Sequence, residues 1–207
     1  MIALLEYGSG NLRSVDKALR KVGADVVVTT RPEGINGARG IVLPGVGAFD
    51  DCMTAMQRQD LLGAVRQSIG EGRPFLGICV GYQALFEKSE EFNSCAAGLG
   101  IFRGKVGRFP TQPGLKVPQI GWNQIEFARP ECPLFKGIQD GSHVYFVHSF
   151  FPQPVDDAIV ACRTEYGVKF ASAVWSGSTF ATQFHPEKSQ GVGLRLLQNF
   201  VEFAERR

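Results

Sequence analysis

Cys79 stands between glycines in Gly77-Ile78-Cys79-Val80-Gly81, after the apolar run Pro74-Phe75-Leu76 and before the helix-compatible stretch Tyr82 to Glu87. This is the spacing of a nucleophile elbow with sulfur in place of oxygen. A sharp strand-to-helix turn pushes the side chain out at the end of a sheet, and the flanking glycines permit close backbone approach. The N–H of the next residue, Val80, then points where an oxyanion would form, and a helix start after Cys79 favours the thiolate.

A base and an orienting acid are found in Thr182-Gln183-Phe184-His185-Pro186-Glu187-Lys188. Pro186 biases His185 toward extended backbone. In an extended segment residues i and i+2 project to one side, so Glu187 is expected to reach the imidazole. Nucleophile, base and orienter together are the requirement for acyl transfer through a covalent intermediate. Read alone, a Cys beside turn glycines is a core cysteine and a His-Pro-Glu is a surface turn. The combination is what points to catalysis.

The elements that must position these groups read as an α/β chain. Ile2 to Glu6 is a buried strand, and Leu12, Val15, Leu19 and Val22 fall at helical spacing up to Gly23. Strands follow at Asp25 to Thr29 and Ile41 to Leu43, then the turn Pro44-Gly45-Val46-Gly47 and one helix through Met53, Met56 and Leu61. Phe75 to Ile78 feeds the elbow. This order predicts a mostly parallel, helix-covered sheet. From Ile101 to Phe184 short runs such as Ile125 to Phe127, Val144 to Phe151 and Ala158 to Cys162 predict an antiparallel or mixed β extension, and Gly191 to Phe203 a closing helix. The turn at 44–47 ends the strand expected beside the elbow strand, so the Val46-Gly47 peptide is a candidate second oxyanion donor. Gly8-Ser9-Gly10-Asn11 looks like the start of a dinucleotide fingerprint, but position 13 is Arg where the third glycine belongs, and it reads as a turn.

The chain has 207 residues, 44% hydrophobic and 20% charged, with a formal charge of +2. Those values fit a single globular domain over 1–207 with a core of its own. Its cations are scattered, so no nucleic-acid or membrane partner is implied. The apolar start Met1 to Leu5 is too short for a signal peptide, and the chain is expected in the cytoplasm. The five cysteines, Cys52, Cys79, Cys95, Cys132 and Cys162, show no disulfide or zinc spacing, and the four other than Cys79 are expected to be packing residues. His143, His148 and His185 lack metal-ligand spacing, so no metal or cofactor is expected.

Gly77 to Gln83 together with Gln183 to Ser189 resembles the class I, triad-type glutamine amidotransferases, α/β proteins that release ammonia from glutamine through a cysteine thioester. Within that family the chain most resembles the glutaminase subunits of imidazole glycerol phosphate synthases. The matching stretches are Tyr7 to Leu12, Leu43 to Phe49, Lys88 to Glu91, Val117-Pro118, Gly121-Trp122-Asn123 and Tyr145 to Ser149. Glu6 stands where those subunits usually have Asp, and Gln119 where they commonly have His.

The resemblance implies Cys79 as nucleophile, His185 as base then acid, Glu187 as orienter, and Val80 with Val46-Gly47 as the oxyanion hole. Gly47, Gln83, Glu91 and the Ser149-Phe150 backbone resemble the pocket for L-glutamine. Tyr7, Asn11, Trp122 and Lys188 resemble a face meeting a (β/α)8-barrel cyclase. A glutaminase of another pathway, such as anthranilate synthase, and a partner-binding protein with an inactive elbow are the alternatives. An α/β-hydrolase is disfavoured because there the acid precedes the histidine.

Overall fold

In the structure, a computed structural model describing residues 1–8 and 10–206, an eight-stranded sheet forms the frame. Ser9 of the early glycine turn lies outside the described residues. Strands β1 (Ile2–Leu5), β2 (Val26–Thr29), β3 (Gly40–Leu43) and β4 (Phe75–Ile78) run parallel in the order β2-β1-β3-β4. Helix α1 (Leu12–Lys21) follows β1. Between β3 and β4 come α2 (Phe49–Arg58) and α3 (Leu61–Gly70). The single helix expected there is broken at Asp60, which takes a left-handed φ of 56° and ends one helix before the next begins. The short helix α4 (Val80–Gln83) starts immediately after Cys79.

The second half adds β5 (Lys88–Ser89), β6 (Gly104–Arg108), β7 (Gln119–Gln124) and β8 (Glu126–Phe127). Strands β9 (His143–His148), β10 (Phe150–Pro154), β11 (Val160–Glu165), β12 (Lys169–Ser176) and β13 (Thr179–Thr182) follow, and α5 (Gln190–Glu205) closes the chain. Strand β13 pairs parallel with β4, and β12, β11 and β8 extend the sheet antiparallel from it.

The single run read from Val144 to Phe151 is two strands in two sheets. β9 pairs with β7, whereas β10 pairs with β6, the chain changing sheets at Ser149. A hydrophobic run shows that strands exist; it does not show with which partners they pair.

Every position of β1, β3, β4 and β13 is buried, so the parallel part is covered on both faces. Helix α1 packs on α5, and α2 on α3 and α4. Phe180 of β13 meets Phe200 and Phe203 of α5 edge-on, which ties the closing helix to the strand leading into His185. Cys52, Cys132 and Cys162 are buried in the core, but Cys95 is exposed, because it lies in the loop beyond the turn at 91–93 rather than under an element.

Candidate active site

The parallel pairing of β4 with β13 sets Ile78 beside Thr182, and the Cys79 N–H donates to the Thr182 carbonyl at 2.8 Å. Both strands end there, so Cys79 on one and the Gln183–Glu187 segment on the other leave the sheet side by side. Cys79 holds φ 54° and ψ −106°, a conformation a non-glycine residue adopts only under constraint. The constraint is tight packing: a Cβ on Gly81 would sit 2.0 Å from the Leu43 carbonyl oxygen, so no other residue fits the turn.

His185 is held at both backbone groups. Its N–H donates to the Tyr145 carbonyl at 2.9 Å, and its carbonyl accepts from Ser189 Oγ at 2.6 Å. The segment after it is a 3₁₀ turn over Pro186–Lys188 rather than an extended strut, because proline's fixed φ also suits the first position of a helical turn. The turn still delivers Glu187, whose Oε1 accepts from His185 Nδ1 at 2.7 Å, with both side chains fully buried. Asn11 Nδ2 donates to the same oxygen at 2.9 Å.

The other ring nitrogen, Nε2, is buried without a hydrogen-bond partner, and the sulfur of Cys79 is close enough to act on the ring electrostatically. Burial works against a charged imidazole here. Cys79 and then Glu187 outweigh it, and the pKa of His185 is pushed up to about 10. Burial likewise opposes the Glu187 carboxylate, but the bonds from His185 and Asn11 hold its pKa below the usual carboxylate value.

Cys79 opens on a cavity of about 360 Å³ lined by Val46, Gly47, Val80, Gln83, Glu91, Pro118, Val147, His148, Ser149, Phe150 and Lys188. A wider cavity of about 410 Å³ beside the end of α5 also has a thiol, Cys132, but no histidine among its lining residues, and burial pushes that thiol up to about 12. Of these two cavities, the one at Cys79 also has a histidine, His148, in its lining. Among the described residues no group of three or more His, Cys, Asp and Glu side chains is placed to hold a metal.

Residues 3–203 match the glutamine amidotransferase class-I family. The chain belongs to that family. Among relatives of this amidotransferase, imidazole glycerol phosphate synthase subunit HisH of Synechococcus sp. (strain JA-3-3Ab) is 48% identical, covering 100% of this chain and 95% of its own. The subunit of the same name from Syntrophotalea carbinolica is 50% identical over 97% of this chain and 98% of its own. The solved structure of PurLQS from Thermotoga maritima shares the fold, with a TM-score of 0.77 at 19% identity over 98% of this chain and 97% of that one. The glutaminase domain of CTPS from Trypanosoma brucei, solved with bound acivicin, does so with a TM-score of 0.74 at 15% identity, over 100% and 94%.

In this amidotransferase Val80 N–H opens α4 and has no intrahelical acceptor by position. Gly47 is exposed with φ 98°, so the Val46-Gly47 peptide lies in a turn that only glycine adopts without strain. Gln83 Nε2 donates to the Phe150 carbonyl at 3.1 Å and to Gln183 Oε1 at 3.3 Å. Both its hydrogens are committed, and its oxygen is the group left for a ligand. Glu91 Oε2 accepts from the Phe49 N–H at 2.7 Å, fastening the start of α2 to the cavity wall. Burial raises the pKa of Glu91, with that bond opposing.

Of the four residues placed on a partner face, Trp122 (47% exposed) and Lys188 reach solvent, whereas Tyr7 and Asn11 are 8% and 7% exposed and turn inward. Tyr7 packs behind the turn at 44–47, where a Cβ on Gly45 would lie 2.5 Å from its hydroxyl. Asn11 is spent on Glu187. Sequence reasoning missed Gln183, whose Nε2 donates to Cys79 Sγ at 3.5 Å, and His148, which bonds the Phe150 carbonyl. The i, i+2 rule that linked Glu187 to His185 applied equally to Gln183 on the other side.

Proposed function

We propose that this chain, as one amidotransferase domain over 1–207, is the cytoplasmic glutaminase subunit of an imidazole glycerol phosphate synthase. It hydrolyses L-glutamine to glutamate and ammonia and passes the ammonia to a (β/α)8-barrel cyclase subunit, which makes imidazole glycerol phosphate and AICAR in histidine biosynthesis. The observation that carries this reading is the relay in which Glu187 holds His185 Nδ1 at 2.7 Å while Nε2 stays unpaired on the Cys79 side.

The Cys79 thiolate attacks the side-chain carboxamide carbon of glutamine, and the oxyanion is met by the N–H groups of Val80 and of the Val46-Gly47 turn. His185 Nε2–H gives its proton to the departing ammonia, leaving a thioester. His185 then takes a proton from water as that water attacks, and glutamate leaves. The Gln83 oxygen and Glu91 suit the α-ammonium group, and the Ser149-Phe150 backbone suits the rest of the α-amino-acid head.

Partner docking is supported by β7, which exposes Ile120 (63%) and Trp122 (47%). Trp122 meets Tyr145 edge-on, and Lys188 Nζ lies 5.7 Å over the Tyr145 ring, so this face adjoins the His185 segment. A partner seated there can bias the oxyanion turn.

The test is ammonia release from glutamine by the isolated chain, then with a barrel cyclase, then with cyclase and its nucleotide-like substrate. Release should be low alone and rise by about a hundredfold or more in the last case. Stimulation by an anthranilate-type synthase instead would move the chain to that pathway.

A further inference from the structure

Five buried polar side chains connect β7 to the nucleophile. Gln119, His148, Gln83, Gln183 and Cys79 are 3%, 6%, 4%, 0% and 4% exposed. A buried amide without partners is costly, so a run of them has to be satisfied internally. The contacts are His148 Nε2 to the Gln119 amide at 3.0 Å, His148 Nδ1 to the Phe150 carbonyl at 2.8 Å, and Gln83 Nε2 to that same carbonyl at 3.1 Å. They continue from Gln83 Nε2 to Gln183 Oε1 at 3.3 Å and from Gln183 Nε2 to Cys79 Sγ at 3.5 Å.

The direction of each bond follows from one group that cannot be reversed. A backbone carbonyl only accepts, so Phe150 fixes Nδ1–H on His148 and N–H on Gln83. Burial, partly opposed by the Phe150 bond, lowers the His148 pKa to about 3, so the ring is neutral and its Nε2 is an acceptor. The Gln119 amide must therefore turn its NH₂ toward His148, the reverse of the oxygen placed there. On the other side, the Gln83 N–H requires an acceptor, so Gln183 presents Oε1 to Gln83 and its NH₂ to the sulfur. A reversed Gln183 would set two NH₂ groups against each other and a carbonyl oxygen against the sulfur.

We infer that Gln183 is a catalytic residue whose side-chain N–H donates to Cys79 Sγ and favours the thiolate, with Gln83 and the Phe150 carbonyl as positioning groups that fix its polarity. This rests on Cys79 as the nucleophile of the proposed reaction. The sheet register explains the placement: Thr182 pairs with Ile78, so the residues one step beyond, Gln183 and Cys79, leave adjacent strand ends together. A hydrogen bond to an ionised acceptor is stronger than one to a neutral acceptor, so the donor stabilises the thiolate more than the thiol. The chain also joins the nucleophile to β7, the strand that carries exposed Ile120 and Trp122.

The test reads the thiol itself, without glutamine. The rate of iodoacetamide alkylation at Cys79, followed by mass spectrometry of the peptide that carries it, is measured against pH in the parent and in Gln183→Met, which keeps length and removes the donor. The midpoint of the profile should move up by about one pH unit in the variant. An unchanged midpoint in folded Gln183→Met overturns the inference and leaves Gln183 a packing residue. A second measurement needs no variant: the side-chain amide protons of Gln183 in the unmodified protein should shift in NMR spectra as Cys79 titrates, and should lose that transition once Cys79 is alkylated. Amide signals indifferent to Cys79 overturn it equally. Failure of the proposed reaction is separately visible as glutamine hydrolysis that survives Cys79→Ala.

Discussion

Asn11 and Glu187, 176 residues apart in the chain, are joined by a bond of 2.9 Å from Asn11 Nδ2 to Glu187 Oε1. Asn11 is the N-cap of α1, where an asparagine side chain ordinarily accepts from the first turn of its own helix. It makes no such capping bond. Its amide is turned away from the local helix and onto the carboxylate that holds His185, so a local stabilising contact has been exchanged for one at the site.

Asn11→Ala should therefore lower kcat by about tenfold while changing KM little, since the residue bonds Glu187 and does not line the cavity. Asn11→Asp should lower kcat further, because two adjacent buried carboxylates compete for one proton. Steady-state glutaminase kinetics in the complex with the cyclase check both. A large KM change with normal kcat would place Asn11 in substrate binding instead.

The imidazole of His185 is expected to titrate near 10, with Cys79 the largest of the effects that raise it. Cys79→Ala should move that titration down, observed by NMR of the His185 ring. The folded pKa exceeds the ordinary value of 6.5, so the contribution of the charged ring is complete below about 6.5 and is lost as pH rises through about 10. Denaturant unfolding of the parent and of His185→Gln should differ most at neutral pH and below, and converge above about pH 10. A His185 titration unmoved by Cys79→Ala would show that the two groups are not coupled.

Gly47 adopts φ 98° in the turn beside Cys79, with open space where a Cβ would stand. Gly47→Ala is therefore opposed by backbone conformation rather than by a clash, and it biases the Val46-Gly47 peptide away from its present orientation. Turnover should fall by about a hundredfold or more, the usual cost of one lost oxyanion donor, with glutamine affinity little changed. Normal turnover would place the second donor elsewhere.

The parts of the site that could be read in sequence are those where one short segment carries a demand of its own. Gly77 and Gly81 bracket Cys79 because the backbone closes there, and Pro186 separates His185 from Glu187 by a fixed turn. The parts that could not be read depend on register and pairing. Gln183 meets Cys79 only because β13 lies beside β4, and neither strand announces the other. The left-handed Asp60 that divides α2 from α3 interrupts no apolar spacing, and the change of sheet at Ser149 sits inside a continuous hydrophobic run. Asn11 was visible as a residue but not in its direction, since an exposed cap and an inward hydrogen bond have the same sequence.

The proposed hydrolysis of glutamine requires a thioester on Cys79. Its most direct test is ammonia release from glutamine by Cys79→Ala in complex with the barrel cyclase, on protein shown to be folded and still able to support synthesis from added ammonia. Glutamine-dependent release should be abolished while ammonia-dependent synthesis by the cyclase continues, because the two reactions occupy separate sites. Glutamine hydrolysis retained by Cys79→Ala would contradict it.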